Sequence, residues 1–212
     1  MPDQPDYLRP YAEAVRTHGP TFEATLWLNR QKQTDRFRVI AEAIDLTGRV
    51  IIDAGCGLGD LASYLNEHNI QFGRYIGLEA MPEMVEQARS RNLPEARFEI
   101  ADFALDEQCF PRLAKSDRYD IAVFSGSLNT FKEDHARAVV KRAFDAANED
   151  KGGVIFNFLS ARHGKKHTPD PSPARRFDPV KMTDWALKLT PRVLMRQDYM
   201  GGHDATIAMF KA

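Results

Sequence analysis

The clearest chemical pattern in the sequence is a set of three alternate glycines, Gly55, Gly57 and Gly59, with Asp53 two residues before the first of them. An apolar run precedes this turn and a helical pattern follows it. The first N–H groups of a helix have no partner within the helix, and the helix dipole favours negative charge or lone pairs beside them. Because glycine has no Cβ, a ligand can also lie directly against the backbone. The stretch therefore predicts a ligand site at a strand–turn–helix junction.

The spacing of the glycines excludes two common phosphate-binding motifs. The dinucleotide fingerprint G-x-G-x-x-G requires glycine at its sixth position, where this chain has Asp60. A Walker A loop requires Gly-Lys and then Ser or Thr, and no such triplet follows. The pattern that fits is D-x-G-x-G-x-G. Glu79 stands roughly 20 residues past the glycines, which is the spacing at which an acidic strand end reaches ribose hydroxyls.

Short apolar runs alternate with helical patterns from residue 49 onward. The strand patterns are RVIIDA, YIGLE, ARFEIA, YDIAVFS and GVIFNFLS. With helical patterns between them, they predict a parallel sheet that is covered by helices on both faces. The last two strand patterns, RVLMRQDY and ATIAMFK, are joined only by MGGHD. Because a parallel crossover needs about a dozen residues, this short connection predicts an antiparallel hairpin.

We therefore expect an α/β fold: a doubly wound, mostly parallel seven-stranded sheet with a C-terminal antiparallel hairpin and an N-terminal helical extension. In residues 1–47, apolar side chains recur every three or four positions, and Pro10, Gly19 and Pro20 divide the helical pattern into short pieces. We interpret residues 1–47 as an extension that caps the substrate side. Residues 48–212 are then the ligand-binding domain.

The glycine turn resembles the first motif of the class I S-adenosylmethionine-dependent methyltransferases, and the resemblance extends over residues 49–212. YIGLEAMPEMVEQAR resembles the second strand of that family, whose acidic end holds the ribose, and FEIADF resembles the third, where an Asp meets the adenine. YDIAVFSGSLNTF resembles the fourth, beside the methionine moiety. Trp27, Arg36-Phe37 and the stretch 177–179 resemble small bacterial members with unassigned substrates. The resemblance implies a Rossmann-like fold, S-adenosylmethionine as cofactor and methyl transfer to a small-molecule acceptor.

The resemblance also implies which residues bind the cofactor. Glu79 would hold the ribose hydroxyls, Asp102 would accept a hydrogen bond from the adenine amino group, and Ala80, Met81 and Phe103 would enclose the ring. The full set of expected cofactor-binding residues is Asp53, Gly55, Cys56, Gly57, Glu79, Ala80, Met81, Asp102, Phe103, Ser125 and Arg36.

Each of these assignments has a structural alternative. Arg36 is a candidate partner for the cofactor's carboxylate because guanidinium is planar and forked, but it also fits a solvated helix position. Asp53 could cap a helix, Glu79 could be a solvated strand end, and Asp102 could stabilise a turn. Met81 could be core packing.

We expect the methyl acceptor at the same edge, because ligands of open α/β sheets bind outside the carboxyl ends of the strands. His203 and Tyr199, near the last turn, are the candidate catalytic residues, although a lone histidine is more often structural. The loop from Ala161 to Phe177 is predicted to be a lid over an acceptor that bears a carboxylate, phosphate or other anionic group, with a solvated surface loop as the alternative. Its basic residues are Arg162, His163, Lys165, Lys166, His167, Arg175 and Arg176.

The composition argues against several other classes of protein. With 29 Lys and Arg against 30 Asp and Glu, the net charge of −1 gives no electrostatic reason to expect a nucleic acid or an anionic membrane as partner. No signal peptide and no apolar run of the roughly 20 residues that span a bilayer is visible. Cys56 and Cys109 form neither a disulfide framework nor a Cys-x-x-Cys pair, and no cluster has metal-ligand spacing.

We therefore expect a cytoplasmic protein without a metal, and the sequence does not indicate its oligomeric state. Two other functions compete with methyl transfer. One is a non-catalytic accessory or sensor protein that binds the cofactor, which the lack of an identifiable base keeps open. The other is an NAD-dependent oxidoreductase, which the broken dinucleotide fingerprint and the terminal hairpin disfavour.

Overall fold

The structure of the protein is a computed structural model that describes residues 4–164 and 174–212. Its strands are β1 (Val50–Ala54), β2 (Arg74–Glu79), β3 (Ala96–Ile100), β4 (Ile121–Phe124), β5 (Gly153–Ser160), β6 (Arg176–Phe177), β7 (Val193–Arg196) and β8 (Asp204–Phe210). Its α-helices are α1 (Arg9–His18), α2 (Arg30–Ala43), α3 (Asp60–Glu67), α4 (Pro82–Ser90), α5 (Cys109–Asp117), α6 (Glu133–Ala146) and α7 (Pro179–Leu187). Short 3-10 helices span Phe22–Thr25 and Met200–Gly202.

The strands form one sheet in the order β3-β2-β1-β4-β5-β8-β7. The first five strands are parallel, and β8 is antiparallel to both β5 and β7. This confirms the predicted seven-stranded α/β sheet with its C-terminal hairpin. The structure adds β6, which pairs with the last two residues of β5. A two-residue strand shows no periodicity, so the sequence pattern could not predict it.

The apolar strand patterns arise because the central strands are covered on both faces. Every residue of β4 and β5 is buried. Side chains of a strand alternate between the two faces, so Phe124 and Phe156 join one hydrophobic core while Val123 and Ile155 join the other. The continuous apolar runs in the sequence therefore supply two separate cores, one on each side of the sheet.

The N-terminal helices pack in two different ways. Phe37 and Ile40 of α2 lie in the same core as Ile51 of β1, so α2 is part of the hydrophobic core of the domain. Helix α1 and the first 3-10 helix belong to a smaller cluster with Leu58 and Met81, beside the ends of β1 and β2. This smaller cluster brings residues 4–28 to the carboxyl edge of the sheet, where ligands of such folds bind.

No helix in the ranges 4–164 and 174–212 is both long enough and apolar enough to cross a membrane.

Candidate functional site

Glycine is required at the three positions after β1 for different structural reasons. A Cβ on Gly55 would lie 2.4 Å from the Cβ of Ser127, and a Cβ on Gly59 would lie 2.7 Å from the ring of Phe98. Both glycines are therefore required by close packing within the protein, in addition to their positive φ angles. The sequence-based interpretation, which assigned Gly55 to close approach of a ligand, missed the contact with Ser127.

Gly57 is the one of these three glycines at which a Cβ would make only ordinary van der Waals contacts. Its φ is +55°, and a Cβ there would approach only Thr25 at 3.6 Å and Met84 at 3.9 Å. The turn is fixed from behind, because the backbone N–H groups of Gly55 and Cys56 both donate to the carbonyl of Leu78. The peptide at Gly57 is thereby presented to a cavity.

The cavity has a volume of about 300 Å³ and lies at the carboxyl edge of β1, β2 and β4. Its walls combine the glycine turn, the strand ends and the N-terminal helices. All the cofactor-binding residues expected from the sequence line it, namely Asp53, Gly55, Cys56, Gly57, Glu79, Ala80, Met81, Asp102, Phe103, Ser125 and Arg36. Which ligand these side chains contact is a separate question.

Glu79 ties the end of β2 to the glycine turn. Its Oε2 accepts a hydrogen bond of 3.1 Å from the Gly57 N–H, and its Oε1 accepts one of 2.9 Å from the Met81 N–H. Burial raises the pKa of Glu79, although these backbone donors oppose that shift. The structure therefore rules out a solvated strand end. Each carboxylate oxygen can accept a further hydrogen bond.

Asp53 is buried at the end of β1. Its Oδ2 accepts a hydrogen bond from the Tyr75 hydroxyl, while its Oδ1 has no partner in the described part of the chain. Burial raises the pKa of Asp53 to about 7. A side chain that bonds a buried tyrosine is not a helix cap, and a buried oxygen without a partner is suited to a donor on a ligand.

Asp102 has protein partners that the sequence pattern did not reveal. Both of its oxygens accept hydrogen bonds from the Tyr7 hydroxyl, at 2.9 and 2.8 Å, and Oδ1 also accepts from the N–H groups of Ala104 and Leu105. The turn-stabilising alternative is thus present together with a position on the cavity wall. The Tyr7 ring is stacked on Phe131, with ring centroids 4.6 Å apart.

The apolar residues that we expect around the adenine ring line the cavity and also pack in the hydrophobic core. Met81 and Phe103 are both buried, the first in the cluster under α1 and the second against Phe124. Cys56 is also buried, and burial raises the pKa of its thiol well above the ordinary value. A thiol held in its neutral form is not a nucleophile, so Cys56 contributes only its small size to the cavity wall.

Arg36 reaches the cavity from α2 and is almost fully buried. Its Nε donates to Oδ2 of Asp204, and its guanidinium lies over the Trp27 ring, 4.3 Å from the centroid. The solvated-helix alternative for Arg36 is therefore wrong. Asp204 is 168 residues away in the chain, so no local pattern could have identified it.

His203 lines the same cavity, and its two ring nitrogens have different partners. Nδ1 lies 2.5 Å from Oδ1 of Asp204, and Nε2 lies 3.0 Å from Nη2 of Arg176. Because guanidinium can only donate, Nε2 must accept and Nδ1 must carry the proton. Tyr199, the other candidate catalytic residue, does not line the cavity: its hydroxyl is buried 2.7 Å from the Thr206 hydroxyl.

The loop after β4 adds polar side chains to the cavity, and Ser125 is the one of them that the sequence predicted. The hydroxyls of Ser125 and Ser127 and Oδ1 of Asn129 are buried on the cavity wall, without hydrogen-bond partners in the ranges that the structure describes. The loop is held in place by Asn157, whose Oδ1 accepts from the Gly126 N–H at 2.8 Å. Buried polar atoms of this kind are normally satisfied, which supports a polar ligand in the cavity.

The predicted basic lid lies only partly within the described chain. Lys165, Lys166 and His167 fall outside the described residues. Arg162 forms an ion pair with Asp178, and Arg176 donates to the carbonyl of Ser160, so both arginines have structural partners. The sequence predicts a protein without a metal, and that prediction concerns the whole chain. Among residues 4–164 and 174–212, no cluster of His, Cys, Asp and Glu could hold a metal ion.

Comparison with known proteins identifies the central part of the chain. A family model described as a methyltransferase domain matches residues 51–150. Over 100 residues, the chain is 35% identical to an uncharacterised 37.1 kDa protein of a transposon in Streptomyces fradiae. That alignment covers 42% of this chain and 29% of the transposon protein, so the chain spans less than a third of the length of this relative.

Solved structures with the same fold cover nearly the whole chain. Human N-acetylserotonin methyltransferase in complex with S-adenosylmethionine has a TM-score of 0.69 at 14% identity, over 97% of this chain and 62% of that one. An S-adenosylmethionine-dependent methyltransferase from Aquifex aeolicus gives 0.63 at 12%, over 95% and 98%. Phosphoethanolamine N-methyltransferase 1 from Haemonchus contortus gives 0.66 at 13%, over 97% and 48%. At such identities the similarity establishes the fold.

Proposed function

We propose that this chain, whose residues 51–150 match a methyltransferase domain, is a class I S-adenosylmethionine-dependent methyltransferase, that its cavity binds this cofactor and that it transfers the methyl group to a small-molecule acceptor. One observation carries the proposal. The glycine turn, with the α-carbon of Gly57 open to the cavity, is tied directly to the acidic strand end at Glu79. A cofactor with a nucleoside and an amino-acid part matches these two neighbouring features.

The residues present fit the two ends of the cofactor. Glu79 has oxygens available for both ribose hydroxyls, in charge-assisted hydrogen bonds. At the other end, the unpartnered Oδ1 of Asp53 suits the ammonium group, and the guanidinium of Arg36 suits the carboxylate. Met81 and Phe103 supply apolar surface for the adenine. The bound cofactor supplies a methyl group on a sulfonium, and the protein contributes alignment and exclusion of water.

The acceptor is expected between the cofactor and the N-terminal helices. Trp27, Leu28 and Asn129 also line the cavity, and none of them is among the expected cofactor-binding residues. Residues 1–47 are therefore a substrate-side cap in this proposal. Human N-acetylserotonin methyltransferase and the phosphoethanolamine methyltransferase, which share this fold, are named for small-molecule acceptors. We propose the same class of acceptor, a small molecule, for this chain.

An anionic group on the acceptor is part of the proposal. Arg175 is exposed beside Ala174, which lines the cavity, and it is the described basic residue of the predicted lid that we assign to the anionic group of the acceptor. The near-zero net charge of the chain favours such a local attraction over nucleic-acid binding. A cytoplasmic location remains a prediction from the low cysteine content.

His203 is the candidate base for an acceptor that starts protonated, with Nε2 as the proton-accepting atom. That lone pair is engaged by Arg176, so the proton can transfer only after this contact opens. The same observation favours a second function, that of a non-catalytic accessory or sensor protein that binds the cofactor without turnover.

Calorimetry and turnover separate these possibilities. Titration with S-adenosylmethionine, S-adenosylhomocysteine and NAD is expected to give binding of the first two only. Incubation with methyl-labelled cofactor and a panel of small carboxylates, phosphates, amines and phenols then separates an enzyme from a sensor. Binding of NAD alone, or of none of the three ligands, would contradict the proposed cofactor.

A further inference from the structure

Asp204, the first residue of β8, is a buried carboxylate that holds two cavity residues at once. It is fully buried, with Oδ2 accepting from Nε of Arg36 and Oδ1 beside Nδ1 of His203. Burial alone would raise the pKa of Asp204, but the charge of Arg36 and the hydrogen bonds from Arg36 and His203 lower it. The carboxylate is therefore ionised, and one side chain connects α2 with the turn before β8.

The consequence for Arg36 is a fixed orientation. Its Nε edge is occupied by Asp204, its flat face by Trp27, and Nη1 is packed so closely on Gly126 that a Cβ there would lie 3.0 Å away. Neither Nη1 nor Nη2 has a hydrogen-bond partner in the part of the chain that the structure describes. Since Arg36 is 4% exposed and lines the cavity, the cavity is where this unpartnered donor edge can find an acceptor.

We propose that Asp204 is a positioning residue, which holds the Arg36 guanidinium so that its two Nη groups receive the carboxylate of the cofactor's amino-acid part. The inference rests on the proposed function and adds a residue that neither the motifs nor the resemblance indicated. A guanidinium offers parallel donors to a carboxylate only when its plane is fixed, so the orientation is as important as the charge. Asp204 supplies that orientation from a position that the ligand does not reach.

Two ligands that differ only in the amino-acid part provide the test. S-adenosylhomocysteine carries the carboxylate, while 5′-methylthioadenosine has the same nucleoside and thioether without it. Asp204→Ala is expected to weaken S-adenosylhomocysteine binding by about tenfold or more, the factor for one charge-assisted hydrogen bond. Binding of 5′-methylthioadenosine is expected to change by less than about twofold. A merely structural role would weaken both ligands equally, and that outcome would overturn the proposal.

The conservative variant sharpens the result. In Asp204→Asn the amide oxygen can still accept from Nε of Arg36, although the amide N–H then meets Nδ1–H of His203, which Arg176 holds in its tautomer. Asp204→Asn should therefore retain more S-adenosylhomocysteine affinity than Asp204→Ala. Asp198→Ala is the matched control, because it removes a nearby carboxylate that pairs with Arg196 at the surface, and it should leave the ratio of the two affinities unchanged.

A second pair of variants covers the case in which Asp204→Ala does not fold because Arg36 is left as an unpaired buried charge. Arg36→Gln and the double variant Arg36→Gln/Asp204→Ala both lack that charge. If Asp204 acts through Arg36, these two proteins bind S-adenosylhomocysteine equally, and a further loss in the double variant would overturn the proposal. Wild-type protein that binds neither ligand would instead contradict the proposed function itself.

Discussion

The carboxylate of Glu79 and the backbone N–H of Gly57 lie 3.1 Å apart, which joins the acidic end of β2 to the turn after β1. A second backbone donor, the N–H of Met81, satisfies the other oxygen of the same carboxylate. Two strand ends that are neighbours in the sheet are thus fixed to each other by one side chain. The Glu79 carboxylate therefore fixes the shape of the cavity, in addition to any hydrogen bonds that it makes to a ligand.

Glu79→Ala is expected to weaken S-adenosylhomocysteine binding by about 1.5 to 3 kcal/mol, because the ribose hydroxyls lose a charged acceptor. Calorimetry measures this. The free energy of unfolding should also fall, because two backbone N–H groups lose their partner. The matched control is Glu86→Ala on the exposed face of α4, where Glu86 forms a surface ion pair with Arg89. Unchanged affinity in a folded Glu79→Ala protein would remove Glu79 from the ligand site.

Gly57→Ala and Gly59→Ala are expected to separate binding from folding. Both residues have positive φ, so both alanines cost about 1 kcal/mol of stability in the backbone. At Gly57 the new methyl group projects into the cavity and should lower S-adenosylhomocysteine affinity by about tenfold or more. At Gly59 it meets the Phe98 ring at 2.7 Å and should destabilise the fold further, while the folded protein binds nearly normally. The reverse order of affinities would contradict this account of the turn.

The order of strands and helices could be predicted from the sequence because each element has its own local signal. Apolar runs mark β1 to β5, and the short connection before β8, residues 197–203 in the structure, allows only a hairpin. The resemblance then placed Asp53, Gly57 and Glu79 on one edge of the sheet, and the structure brings them to one cavity.

The partners of these residues could not be predicted, because they are distant in the chain. Tyr7 is 95 residues from Asp102, and Arg36 is 168 residues from Asp204. Periodicity reports which face of an element is buried, not which side chain of another element meets it. Likewise, the spacing of the glycines does not distinguish Gly57, which faces the cavity, from Gly55, which faces Ser127.

Tyr7→Phe is expected to loosen the N-terminal segment. The variant removes a hydroxyl that donates to both oxygens of Asp102 but keeps the ring stacked on Phe131. We expect faster amide hydrogen exchange in α1, and a stability loss of about 1.5 to 3 kcal/mol, since the bond is to a charged group. Tyr64→Phe is the control, because its hydroxyl donates to no residue within the described ranges. Equal exchange in both variants would mean that the Tyr7–Asp102 contact does not hold the segment.

The stability of the protein is expected to decrease with rising pH because of Asp53. An ordinary aspartate has a pKa of about 3.9 in the unfolded chain, whereas burial raises that of Asp53 to about 7 in the fold. Between these values the folded state holds a proton that the unfolded state has released. Protonated Asp53 therefore favours the fold fully below about pH 4, and this contribution is lost as the pH rises through about 7.

Asp53→Asn is expected to remove this part of the pH dependence, because the amide is neutral and its oxygen can still accept from the Tyr75 hydroxyl. At about 1.4 kcal/mol per pKa unit, the effect amounts to about 4 kcal/mol between pH 4 and pH 8. Chemical unfolding of both proteins across this range measures it. Glu79, whose pKa burial also raises, leaves a smaller slope of the same sign in the variant. Parallel stability curves for the two proteins would contradict this account. They would show that Asp53 is already ionised in the folded, ligand-free protein over the whole range from pH 4 to pH 8.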